Sequence, residues 1–212
     1  MKDLFNLENP FIHFLGRVGD MILANLLFLI CSLPVVTVGA SWCAVHKLTQ
    51  DIVSDQDQGL LKPFFRAFKE NFKQATIAWL CILIFLIGMG CNLLLVVSYL
   101  TGSTASICKG VIIALTALVL AISGYLFPLI VRYENSLRQH FINATILSVV
   151  KLPRTVVILL VNVLPFIILY FSAQTFVRTL VFWLVIGFSF ACYITSALLM
   201  PIFQNMEAQN TP

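Results

Sequence analysis

Five stretches of this chain contain no Asp, Glu, Lys or Arg: Met21–Val45, Gln74–Cys108, Gly110–Val131, Thr155–Val177 and Thr179–Met206. A helix crosses the roughly 30 Å hydrocarbon core with about 20 mostly apolar residues. It also satisfies its own backbone hydrogen bonds while doing so. Each stretch is long enough for that. Only 10% of the 212 residues are charged and 60% are hydrophobic, whereas soluble domains carry about 25% charge. A water-exposed globule is therefore excluded. The reading is an all-α, polytopic transmembrane helical bundle of about five spans, near residues 12–33, 75–99, 110–131, 155–176 and 179–201. Residues 1–212 are expected to form a single domain, since the spans leave no room for a separate soluble unit.

The net charge of +4 is too small to point to nucleic acid, and its placement says more than its size. Lys47, Lys62, Arg66, Lys69 and Lys73 fall in the connector near 40–74, and Arg132, Arg138, Lys151 and Arg154 in that near 132–154. Only Lys2, Arg17, Lys109 and Arg178 lie elsewhere. By the positive-inside rule both connectors face the cytoplasm. An odd number of spans then puts the N-terminus outside and the C-terminus inside. A cleaved signal peptide would export the first basic connector, so none is expected.

Within this frame, the aromatic segment Phe5–Val18 reads as an interfacial anchor, with a helix starting near Pro10 and Arg17 within reach of Asp20. Pro34 is expected to end or kink the first span, because it lacks an N–H and disfavours helical geometry at Leu33. A second helix, Ala40 to about Val53, then emerges at the cytoplasmic interface. After it, Phe64, Phe65, Phe68 and Phe72 share one helical stripe, with Arg66, Lys69 and Lys73 opposite. Such an amphipathic helix lies in the headgroup plane against anionic lipids, or presents a docking face to a partner. Arg132, Arg138 and Arg154 are the matching contact candidates on the second connector, and Pro153 marks the first turn of span four.

Inside the spans no ionisable residue marks a pathway. Asn25, Asn92 and Asn162 are the costliest polar groups there, read as interhelical hydrogen bonds or as the frame of a polar site. The six cysteines and three histidines show no metal-ligand or redox spacing. No catalytic motif occurs, so neither an enzyme nor a cofactor is expected. The Asn143-Ala144-Thr145 sequon lies on the predicted inner side and is discounted.

Four segments occur in a particular order between these spans: Leu33-Pro-Val-Val-Thr-Val-Gly39, Phe64-Phe-Arg-Ala-Phe-Lys-Glu-Asn-Phe-Lys-Gln74, Pro128-Leu-Ile-Val-Arg-Tyr-Glu134 and Leu152-Pro-Arg-Thr155. Together they resemble the YesL family of bacterial membrane proteins, a family of unknown function, over nearly the whole chain. The resemblance implies a multi-pass protein of the bacterial plasma membrane with an accessory role in carbohydrate transport. It supplies no catalytic or binding residues. The expected activity is thus that of a non-catalytic accessory or regulatory component, its partners being lipid headgroups, a membrane transporter subunit and a second copy of the chain. The alternative is a small transporter or channel with a polar site between the spans.

Overall fold

The computed structural model describes residues 10–56 and 59–210. Residues 5–9 of the expected anchor lie outside them. Among the described residues every regular element is helical: α1 (Pro10–Cys31), α2 (Val38–Val53), α3 (Leu61–Tyr99), α4 (Gly102–Arg132), α5 (Leu137–Val150), α6 (Leu152–Phe171), α7 (Ala173–Phe182) and α8 (Phe188–Asn210). A π turn, Trp183–Gly187, joins α7 to α8 without a break in the helix. Five of these stretches are long and apolar enough to cross a membrane: α1, α3, α4, α6 and the α7–α8 run. The all-α multi-span reading is what the chain adopts.

Pro34 ends the first helix, as its chemistry requires. A 3₁₀ turn at Val35–Thr37 follows, and the Thr37 hydroxyl donates toward the carbonyls of Cys31 at 2.5 Å and Pro34 at 2.7 Å. The Cys31 carbonyl is an acceptor that the helix end leaves free, and the Pro34 carbonyl also accepts the Thr37 N–H at 2.9 Å. The chain then reverses. Gly39 allows α2 to meet α3 so closely that a Cβ there would strike the Ala75 carbonyl oxygen and come within 2.6 Å of Trp79 Cβ. The Trp79 indole donates back to the Val35 carbonyl at 2.8 Å, pinning the turn against α3.

The reversal changes the topology. Arg17 on α1 is ion-paired with Asp55, just past α2. Ser54 reaches Met200 of α8, and Arg132 at the end of α4 reaches Met200 and Glu207. The start of α1 therefore lies at the same end of the bundle as the α2–α3 and α4–α5 junctions and the end of α8. The expected separation of the N-terminal end from the basic connectors does not match this geometry. α2 runs back alongside α1, and its 16 residues are too few to register as a span. Gln74 donates to the Asn135 carbonyl at 3.0 Å, joining the two basic connectors at this same end.

Two boundaries also moved. The fourth and fifth apolar stretches meet at Ser172, whose hydroxyl accepts the Thr175 N–H at 3.1 Å and caps α7; Arg178, expected at the turn, sits within α7. A serine N-cap outweighs a lone charge as a boundary mark. The basic stretch after Leu60 is no separate surface helix either. It forms the opening turns of the 39-residue α3, about 58 Å long at 1.5 Å per residue.

Candidate functional site

α2 is the helix the bundle is built around. It is enclosed by α1, α3, α4 and α8, and its buried residues include Gly39, Ala40, Cys43 and Ala44 as well as His46, Thr49, Gln50 and Asp51. Small side chains at each turn let four helices approach, and polar ones then meet their neighbours. Gln50 Nε2 donates to the Pro128 carbonyl of α4 at 3.1 Å. Thr49 and Ser196 of α8 share a hydroxyl pair at 2.8 Å. Lys47 Nζ bonds Asp51 Oδ1 at 2.8 Å, while Asp51 Oδ2 and His46 Nδ1 are buried without a protein partner. The charged residues expected at the interface thus lie on the most enclosed element. Intramembrane ionisable groups are functional candidates by default. The signal was the Gly39/Ala40/Cys43/Ala44 spacing, which suits a surrounded helix.

The three asparagines do not converge. Asn92 bonds the Gly88 carbonyl of its own helix at 2.8 Å, on an exposed face. Asn162 bonds its own Ile158 carbonyl at 2.8 Å and approaches Thr195 of α8 at 3.5 Å. Asn25 is different. Fully buried, it donates to the Trp183 carbonyl at 3.1 Å and the Leu184 carbonyl at 2.8 Å, and accepts the Ser189 N–H at 3.0 Å. The π turn displaces carbonyls from the usual ladder, and the carboxamide satisfies them from α1. Ser189 completes the lock by donating to the Met21 carbonyl at 2.7 Å.

Replacing Asn25 with Leu leaves those carbonyls buried without a donor. We expect a loss of about 1–3 kcal/mol, read as a lower unfolding midpoint in detergent, with Asn92→Leu as the control that changes little. Equal midpoints for the two variants would refute the lock.

At the basic end the expected contact residues separate into two groups. Phe64 is fully buried among Ala44, Val45, Leu48 and Ala67 and so faces neither lipid nor partner, while Phe68 packs against the same cluster and stays half-buried. Arg132 is bound by Glu207 through Nε at 2.8 Å and Nη2 at 2.9 Å, with Tyr133 donating to the same carboxylate at 3.3 Å. It is a structural clamp between α4 and α8. Glu134, two residues along from Arg132, is exposed. Arg154 is half-buried near Tyr125. Phe65, Arg66, Lys69, Phe72, Lys73 and Arg138 remain exposed. On α5, His140 is buried beside Ala144 and Ser148, and burial holds its imidazole below the ordinary pKa against an opposing contribution from the Asn135 backbone.

No group of three or more His, Cys, Asp or Glu suited to a metal occurs among the described residues. A family model described as a protein of unknown function, DUF624, matches residues 21–93. That stretch takes in the second half of α1, the Pro34 turn, α2 and α3 as far as Leu93, and so the enclosed helix and the Asn25 side of the lock. No curated protein and no solved structure matches the chain.

Proposed function

We propose that this chain is a YesL-type protein of the bacterial plasma membrane, and that it serves as a non-catalytic accessory or regulatory subunit of a carbohydrate transport system. The observation that carries this reading is the contrast between interior and basic end. Inside, Asn25, Thr49, Gln50, Ser189 and Ser196 bond one helix to another. At the basic end, Lys73 and Arg138 stand exposed beside the Gln74–Asn135 bond. Neither forms a salt bridge among the described residues. These two cations, on segments that the Gln74–Asn135 bond joins, offer a docking point for an acidic surface.

The test is purification of the tagged full-length protein from native membranes in mild detergent. A membrane subunit of a transporter should accompany it in fixed ratio and be lost from Lys73→Glu/Arg138→Glu. A protein that stays alone, or a partner indifferent to the double reversal, overturns the reading.

One observation favours the second reading, a small transporter. His46 and the Lys47–Asp51 pair lie on the enclosed α2, at a different place from the three asparagines. Substrate or ion flux into vesicles containing the purified protein alone, abolished by Asp51→Asn, would support that reading over the first.

A further inference from the structure

We infer that the opening turns of α3 form a headgroup site for an anionic phospholipid, with Lys62, Arg66 and Lys69 as its cationic wall. Lys62, Arg66, Lys69 and Lys73 succeed one another at spacings of four, three and four residues, which places them in one row along the helix. All four are exposed. Arg66 Nε is held by Glu70 at 2.9 Å. Lys62 and Lys69 have no ion-pair partner among the described residues. Beside this row runs an apolar one, Leu61, Phe65 and Phe72, which are 58%, 43% and 40% exposed. Between the two rows lies a shallow open depression of about 500 Å³, lined by Leu61, Lys62, Phe65, Arg66 and Lys69.

A phospholipid presents the complement of this surface: a phosphodiester anion with the start of its acyl chains alongside. Cations take the phosphate, each Lys or Arg near an anionic surface adding to the attraction, while Leu61 and Phe65 meet the glycerol and first methylenes. The positive end of the α3 dipole adds to the same field.

An acidic protein segment would satisfy the cations but would leave the depression's apolar side without its acyl partner.

Native mass spectrometry of the full-length protein in detergent tests the site, with dioleoyl phosphatidylglycerol and dioleoyl phosphatidylcholine as probes. Phosphatidylglycerol should be retained over phosphatidylcholine by at least about tenfold, and Lys62→Gln/Arg66→Gln/Lys69→Gln should lose about tenfold of that retention. Lys109→Gln/Arg178→Gln, of equal kind but away from the row, should keep it. All variants should unfold at the wild-type temperature, since Lys62, Arg66, Lys69 and Arg178 are exposed and Lys109 is only half-buried. Equal retention of both lipids, undiminished binding by the triple variant, or displacement of the lipid by inorganic phosphate would overturn the proposal. It is independent of the partner reading, whose variants lie at Lys73 and Arg138.

Discussion

Replacing Gly39 with valine should leave almost no folded protein. The position lies at the α2–α3 crossing, where an added Cβ meets the Ala75 carbonyl oxygen and Trp79 Cβ. Both obstacles are fixed by the backbone of a 39-residue helix, so no side-chain rotation clears them. Overpacking of a core ordinarily costs about 1–3 kcal/mol. Here the helices must separate, and the loss should exceed that range, against a total stability of about 5–15 kcal/mol. Because α2 also contacts α1, α4 and α8, the disturbance spreads to most of the bundle. Gly88→Val is the internal comparison: a Cβ there meets nothing within 4 Å, and that variant should yield a monodisperse peak like the wild type. Size-exclusion profiles of the two variants decide the matter. A Gly39→Val protein as abundant and monodisperse as Gly88→Val would show that the close approach is not required.

Reporters fused at Met1 and after Gln209 should both report the cytoplasm, and reporters at Ser103 and Gln174 the outside. The expectation combines two independent facts. Arg17 is bound to Asp55 and Ser54 reaches Met200, which gathers the start of α1 and the end of α8 at one end of the bundle. Nine of the thirteen basic residues lie in the connectors near 40–74 and 132–154, which selects that end as the inner one. The effect is all or none, since a reporter on the wrong side is silent. Activity of the N-terminal reporter on the outside would require α1 and α2 to part, and would refute both the ion pair and the hairpin.

The helical class was legible because charge-free runs of 20 or more residues admit few other structures in lipid. Pro34 and Pro153 were legible for the same local reason, since a missing N–H restricts where proline can stand. The course of α2 was not. Lys47 and Asp51 read as surface residues because charge in a sequence does not show that α1, α3, α4 and α8 will enclose the helix that carries it. Arg132 was assigned to the surface because Glu207 is 75 positions distant, and no local pattern connects them. Phe64 and Phe65 are adjacent in sequence yet one is buried and the other exposed; a stripe drawn on an isolated helix cannot say which edge the neighbours will cover. The asparagines looked alike in sequence, and only Asn25 found a distorted backbone to bind.

The π turn at Trp183–Gly187 sets the phase of everything after it. A turn of this kind holds one residue more than an ordinary helical turn, and one residue corresponds to about 100° of rotation. Without it, Ser196 would swing away from Thr49 and Glu207 from Arg132, although no atom of either pair had changed. Asn25 thus does more than fill acceptors on a neighbouring helix. By favouring the widened turn it acts as a clutch, holding the last helix at the one angular setting in which its distant contacts engage.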